Sequence, residues 1–433
     1  MAQRTLSVVM AGGMGERLRP LTDMRTKPAV PFGAIYRIVD FTLSNCINSD
    51  FRQILVLTQY KSHSLSRHLS LGFNFLSQRL DEFIEVVPAQ MQMGQQWYLG
   101  TADAIRQNLT YIDMVRPDSV LLLAGDHIYK MDYRRLREFH QACNASLTVS
   151  VIRVPAALAA GQYGVLEVDE HCRIVGFEEK PQQPKCIPGT TDCMASMGIY
   201  IFENHALHAW LDNDMLDFGK DVIPAMVQAG EPVYAFDFSS MNQIEDYVTV
   251  SRGDQRIKTL RPIDDAGYWR DVGTLDSFWQ ANLDLVAVRP PFSLYGERWP
   301  IFRAPTFFPP AKFVHEDDTR TGMAVRSIVA EGVIISGGLV RASVVGAGTF
   351  IQSYSQVENS ILFGGTSGRE HVLETSIGRH CRIRNAILDR HVTLHEGTVI
   401  GYDRAEDERR GLKTVDIPGT GDYVVAVGRD TIL

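Results

Sequence analysis

A set of aliphatic residues spaced six apart constrains this chain more than any other feature of its sequence. Leu339, Val345, Ile351, Val357 and Phe363 stand in unbroken register, and the pattern resumes at Ile377 and Ile383 and again at Leu388, Leu394 and Ile400. A six-residue aliphatic period with Gly and Ser between fits a left-handed parallel β-helix, in which each coil has three short faces and each face turns one aliphatic inward. The interruption at Gly364–Glu374 predicts a loop leaving one corner of the stack. Such a stack is suited to subunit contacts and regulation, so the chemistry is sought upstream.

Upstream, the periodicity changes. Leu6–Met10, Ile54–Leu57 and Val120–Ala124 are short apolar runs that read as buried parallel strands. Ala102, Ile105, Leu109, Ile112 and Val115 follow helical spacing, and Pro117 ends that pattern. Leu147–Ile152, Ser196–Phe202 and Val233–Phe238 add further strands. Strands alternating with helices over residues 1–285 predict an α/β domain of Rossmann-like type with a mostly parallel central sheet. Residues 286–322 carry six prolines together with Trp299, Phe302, Phe307, Phe308 and Phe313. So many aromatics argue for an ordered connection packed between domains rather than a free linker. The expected division is a catalytic domain over 1–285, the connection over 286–322 and the β-helix over 323–433.

Composition narrows the function. Of 433 residues, 45% are hydrophobic and 22% charged, as in soluble globular proteins. The net charge of −8 and the lack of a long basic run argue against nucleic acid as a partner. No apolar run reaches the ~20 residues needed to span a bilayer, and the N-terminus enters a strand without a signal-peptide pattern. The six cysteines form no CxxC pair and no zinc spacing, so scattered reduced thiols in a cytoplasmic protein are expected.

The strongest local signal is Met10-Ala-Gly-Gly-Met-Gly-Glu-Arg-Leu-Arg-Pro-Leu-Thr, followed by Lys27-Pro28. Gly12, Gly13 and Gly15 directly after a strand let backbone N–H groups approach a phosphate chain, and Arg17 and Arg19 add charge. No Gly-Lys-Ser/Thr follows, so this is not a Walker A loop. Leu18 stands where the dinucleotide fingerprint needs its third glycine.

This string resembles the glycine-rich motif of the nucleotidyltransferases that join a sugar 1-phosphate to a nucleoside triphosphate. The likeness continues in order through Arg37-Ile-Val-Asp-Phe-Thr-Leu-Ser-Asn, Trp97-Tyr-Leu-Gly-Thr-Ala-Asp, Ala124-Gly-Asp-His-Ile-Tyr, Glu178-Glu-Lys-Pro, Ala195-Ser-Met-Gly-Ile-Tyr, Asp217-Phe-Gly-Lys-Asp and Tyr268-Trp-Arg-Asp-Val-Gly-Thr. These motifs and the hexapeptide tail are similar to the ADP-glucose-forming branch over nearly the whole chain. The resemblance implies a reaction of ATP with glucose 1-phosphate, giving ADP-glucose and pyrophosphate for glycogen or α-glucan synthesis. It also implies Mg²⁺ on Asp126 and Asp271, a homotetramer, and allosteric control by small molecules. Asp126 ends an apolar strand, which is where open α/β sheets bind ligands. A capping role is the alternative for either aspartate, and Arg270 could pair with Asp271.

By the same resemblance, Arg17 and Lys27 stabilise the departing pyrophosphate, and Gly12, Gly13 and Gly15 hold the triphosphate. Gln90, Gly100 and Thr101 match the region that reads adenine, while Asp103 orients the following helix. Lys180 matches the residue that binds the sugar phosphate. Glu179 and Ser196 match contacts to glucose hydroxyls, and Tyr98, Gly164, Tyr200 and Trp269 complete the candidate sugar pocket. A core role is the equal alternative for Tyr200 and Trp269.

The chain departs from that branch on its effector side. Met14, Met24, Pro31 and Ile35 stand where basic or polar residues are usual, and Met91-Gln92 replace a Gln-Arg pair. Arg25, Arg37 and Arg384 (or Arg382) remain as candidate effector ligands. Methionine cannot pair with a phosphate, and a missing charge-assisted hydrogen bond costs about 1.5–3 kcal/mol of binding. The expectation is weak, absent or altered activation by sugar bisphosphates. A catalytically silent regulatory subunit and a pyrophosphorylase with another nucleotide are the alternative readings.

Overall fold

The computed structural model describes residues 4–90, 97–253, 255–365 and 374–433. Thr5–Met10 lies near the middle of a nine-stranded sheet. It runs parallel to Gln53–Thr58 on one side and Ser119–Ala124 on the other, and Phe83–Pro88 continues the parallel set. The long strand Asp192–Glu203 then joins antiparallel to Ser119–Ala124 and carries Leu147–Pro155 and the hairpin Gly164–Val168/Ile174–Glu179. The parallel strands are apolar on both faces because helices cover both. Val8, Leu55, Leu122 and Phe202 feed one core, and Val9, Val56, Leu123 and Ile201 feed the other.

The helical pattern over 102–115 forms as two helices, Thr101–Arg106 and Leu109–Val115. The break has a local cause. The Asn108 side-chain amide donates to the carbonyl of Ala104 (2.7 Å), offering that carbonyl a partner outside the helix ladder. Among the described residues, no helix is long and apolar enough to cross a membrane.

Beyond the sheet domain, short strands rotate through three parallel sheets, and the coils stack as a β-helix. Ile335, Val340, Val345, Ile351, Val357, Ile377, Ile383, Leu388, Leu394 and Ile400 fill its axis. Two expected inward positions are corrected by one residue. Leu339 is only half-buried while Val340 points inward, because the first coils turn one corner with five residues instead of six. At the other end, Leu362 fills the axis and Phe363 points out to meet Phe278 of the first domain edge-on, with ring centroids 5.9 Å apart. Ile334 pairs with Phe350, and Phe350 with Ser376, so the extra residues leave the coil at the expected corner. Residues 366–373 of that loop and Met91-Gln92 lie outside the described residues.

The proline-rich segment is irregular and packed. Trp299 is buried, its indole N–H donates to Asn45 Oδ1 (3.0 Å), and the N–H of Phe302 donates to Ser44. Phe308 lies on the β-helix, where a side chain on Gly332 or Gly348 would collide with its ring. Phe307 and Phe313 are exposed. Lys312–Val314, inside this stretch, is already the first β-helix strand and pairs with Ile334–Ser336. The two domains share a core of Ile38, Phe41, Phe278, Trp279, Val344, Ile361 and Val424. Helix Leu275–Asp284 forms the joint, and Trp279 donates to the carbonyl of Asn359 (2.7 Å).

Candidate active site

The register of the parallel strands sets the site. Met10 is opposite Ala124, so the glycine turn after the first strand and Gly125-Asp126 after the second emerge side by side. Gly125 allows that approach, since a Cβ there would lie 2.9 Å from Val9. The next residues, His127–Tyr129, pair antiparallel with Trp269–Asp271, and His127 faces Asp271. This two-stranded clip carries Asp271 from far along the chain to the side of Asp126. One ligand atom from each of Asp126, His127 and Asp271 lies within 4.8 Å of the others.

Lys27 stands between the two carboxylates. Its Nζ donates to Asp126 Oδ2 (2.9 Å) and Asp271 Oδ1 (2.8 Å), and the residue is buried. Burial works against the ammonium, but the two carboxylate charges and hydrogen bonds raise its pKa above the usual value. Burial also works against ionised Asp126, yet Lys27 and His127 hold its carboxyl well below the usual carboxylate range. The site thus keeps the Lys27 ammonium and the Asp126 carboxylate charged side by side, with Asp271 against the same ammonium.

Gly15 fits this corner because it has no side chain. Its φ is +65°, and a Cβ would sit 3.0 Å from both Lys27 and Thr22, whose hydroxyl donates to the Gly15 carbonyl (2.9 Å). Gly12 lies against Gln59, while Gly13 is open. Arg17 is exposed and donates to Gln162 Oε1 (3.3 Å), and its other nitrogen lies over Gly273 beside Asp271.

A second cluster lies farther along the same rim. Side chains on Gly164 or Gly219 would come within 2.8 or 2.6 Å of Glu179 Oε2, so both glycines make room for that carboxylate. Lys180 is exposed, with φ +51° and Nζ 3.3 Å from Glu179 Oε1. Ser196 and Tyr200 meet oxygen to oxygen at 3.4 Å across the bulge of their strand. Burial, with Glu179 and Asp217 nearby, pushes the Tyr200 hydroxyl up to about 12, so it stays protonated. Trp269 lies between His127 (4.9 Å) and Tyr163 (5.5 Å), and its buried indole N–H has no partner among the described residues.

Four expected ligands have architectural contacts. Thr101 donates to Asp217 Oδ2 (3.1 Å) and accepts the N–H of Phe218 (3.0 Å), while Gly100 leaves space for the carbonyl of Leu216. Tyr98 accepts from Asn108 (2.9 Å), and Gln90 Oε1 accepts from Tyr111 (2.7 Å). Asp103 accepts the N–H of Leu99 (2.9 Å), the helix-orienting role expected of it. His127, Gln162, Tyr163, Asp217 and Gly219 join the site without having been singled out. The available signal was the Asp217-Phe-Gly-Lys-Asp string, whose first Asp caps a tight helical turn through Gly219 N and Lys220 N.

A separate cavity of about 700 Å³ opens between the domains. Arg37, Lys61, His63, Arg67, Arg390 and Arg429 line it, against Asp430 as the one lining carboxylate among the described residues. Burial and the adjacent Arg37 and Arg25 charges lower the Arg390 guanidinium to about 9. The Nε atoms of Arg390 and Arg429 are buried with no hydrogen-bond partner among the described residues, and Arg429 Nε stands 3.4 Å from Asp430 Oδ2 as an ion pair. Met24, Pro31 and Ile35, the departures noted in the sequence, all line this cavity. Arg25 lies beneath it, 3% exposed, with both terminal nitrogens on Asp389 Oδ1 (3.0 Å). Arg384 does not reach the cavity. It lies on the β-helix over the Tyr402 ring and 3.5 Å from Asp422.

Residues 6–287 match the family model described as nucleotidyl transferase, and residues 309–417 match the GlmU-like C-terminal hexapeptide model. The chain therefore belongs to the nucleotidyl transferase family, with a left-handed hexapeptide β-helix appended. Among curated relatives, the glucose-1-phosphate adenylyltransferase of Shewanella baltica (strain OS185) is 46% identical over 95% of this chain and 93% of its own length. Proteins of the same name from Shewanella sp. (strain ANA-3) and Shewanella oneidensis are 44% identical over the same shares.

Proposed function

We propose that this chain is a cytoplasmic glucose-1-phosphate adenylyltransferase, forming ADP-glucose and pyrophosphate from ATP and glucose 1-phosphate for glycogen or α-glucan synthesis. The observation that carries this reading is the convergence of Asp126, Asp271 and Lys27 beside the glycine turn, with Glu179, Lys180, Ser196 and Tyr200 along the same rim.

A phosphate oxygen of glucose 1-phosphate attacks the α-phosphorus of ATP. The bond from that phosphorus to the bridging oxygen breaks, and pyrophosphate leaves with the electron pair. The nucleophile is already an anion, so the protein needs no strong base. It must align two polyanions and neutralise the charge that grows on the leaving group. Gly12, Gly13 and Gly15 bring backbone N–H groups to the triphosphate, and Arg17 and Lys27 meet the leaving pyrophosphate. Lys180 binds the sugar phosphate, and Glu179 accepts glucose hydroxyls. Ser196 and Tyr200 orient the ring, Trp269 walls the pocket with its spare N–H, and Gln90 reads adenine. Gly100 and Thr101 act by fixing the turn at Asp217.

Two partly exposed carboxylates are a hard-oxygen donor set that suits Mg²⁺. Asp126 and Asp271 would hold the ion, which supplies charge neutralisation on the phosphates.

The interdomain cavity supports a second element of this proposal, an anionic effector bound by Arg37, Arg390 and Arg429. Arg25 acts from beneath through Asp389. Met24, Pro31 and Ile35 cannot pair with a second phosphate, which supports weak or altered activation by sugar bisphosphates. A homotetramer, with a catalytic domain over 1–285 and contacts from the β-helix, completes the reading. Pyrophosphate release from glucose 1-phosphate, Mg²⁺ and each nucleotide in turn tests it. Release with ATP alone supports it, whereas no release from folded protein sinks it in favour of a silent regulatory subunit.

A further inference from the structure

Glu245–Arg252 and Gln255–Pro262 form an antiparallel hairpin that belongs to neither the central sheet nor the β-helix. Its base is fixed. Asp246 accepts the N–H groups of Glu297 (3.1 Å), Arg298 (2.9 Å) and Trp299 (3.3 Å), and Lys258 pairs with Glu297. Between these anchors the strands are exposed to solvent, with Tyr247 47%, Val248 38% and Leu260 40% exposed. A two-stranded hairpin is marginal alone in water, and three or more strands are needed for independent stability.

The two edges of the arm differ. The outer edge of Gln255–Pro262 is guarded by Arg256, Lys258, Arg261 and Pro262, the residues that block strand addition. The edge of Glu245–Arg252 is guarded only at its foot, where Asp246 Oδ1 accepts the N–H of Tyr247 (2.7 Å), and no lysine or proline stands along it. Tyr247-Val-Thr-Val-Ser251 has no charge and no proline, and three of its five residues are β-branched. We propose that this edge pairs antiparallel with the same edge of a second copy of the chain, closing a four-stranded sheet about a two-fold axis at Thr249.

The sequence is self-complementary in that register. Thr249 meets its own copy, and Val248 of each copy meets Val250 of the other, giving two cross-strand β-branched pairs. The cations stay on the outer strands, so no like charges oppose across the new seam. The acidic base at Glu245 of each copy comes to the tip of the other, on the face that carries Arg256 and Lys258. A two-fold seam of this kind is isologous, as in most homo-oligomers.

Full-length Thr249→Cys, mildly oxidised and run without reductant, tests the seam. A disulfide-linked dimer is expected, absent from the parent chain and from Lys258→Cys on the guarded strand. Val248→Lys with Val250→Lys is expected to weaken association at least tenfold by sedimentation, with pyrophosphate release by the separated chains retained. A parent chain that is monomeric at all concentrations overturns the proposal. So does Thr249→Cys that links no better than Lys258→Cys, or links to a different protein. Should the double lysine variant fail to fold, the conservative cysteine variant decides. The readout is mass, so its failure is distinct from failure of the catalytic reading.

Discussion

The catalytic cleft and the interdomain cavity are both lined with charge, but they balance it differently. In the cleft, one buried lysine is shared by two carboxylates, and each charge has a counter-charge within 3 Å. In the cavity, arginines crowd one another, and the Nε of Arg390 is buried without a hydrogen-bond partner among the described residues. The cleft holds opposite charges in direct contact, with one more carboxylate than ammonium in the cluster. The cavity carries excess positive charge that an anion would relieve. The cleft and the cavity can therefore be altered separately by substitution.

The largest effect expected is at Asp126. Asp126→Asn should lower kcat by about 10³-fold, since it removes charge at the point where transition-state charge develops. Chelation of divalent ions should abolish turnover without moving the melting temperature, because Lys27 already bridges the two carboxylates. A large fall in melting temperature on chelation would break the contrast. Next is Arg25→Met, which leaves buried Asp389 without its cation. About 3 kcal/mol of stability should disappear in denaturant titration, and a change near zero would mean that the joint does not depend on this pair. Gly219→Ala places a methyl 2.6 Å from the Glu179 carboxylate. The KM for glucose 1-phosphate should rise about tenfold, a cost of about 1.4 kcal/mol, with the KM for ATP nearly unchanged. The smallest effect on basal rate is expected at Arg390→Ala, which should leave unstimulated turnover intact and erase any response to phosphate-bearing effectors. A matched fall in unstimulated kcat would merge the two regions into one.

The part of the site that was legible in the sequence is the part carried by short strings. A strand followed by glycines, or an apolar run ended by Gly-Asp, implies its own backbone geometry, so Gly15 and Asp126 could be placed before the fold was known, whereas Lys27 needed the resemblance. Asp271 needed the resemblance, because a clip of three residues on each side brings it to Asp126. Gln162, Tyr163 and Gly219 were not singled out because only tertiary packing brings them to the site. The β-helix was legible from its period, but its register was not. A corner turned with five residues moves the inward position from Leu339 to Val340, and no local pattern marks that corner. Arg384 lies away from the interdomain cavity for a related reason, since a charge on a coil faces whichever side its sheet faces.

The helix Leu275–Asp284 begins four residues after Asp271 and ends against the β-helix, with Phe278 and Trp279 inside the joint. The chain therefore cannot be cut into an enzyme and an ornament. A gene shortened after residue 285 would still encode every candidate catalytic side chain, yet it would leave a bare aromatic face on the element that follows a metal-site aspartate. Swapping the tail between relatives would succeed only where the incoming coil brings its own counterparts of Asn359 and Phe363. Any lineage that reshuffles these halves must carry the joint with them.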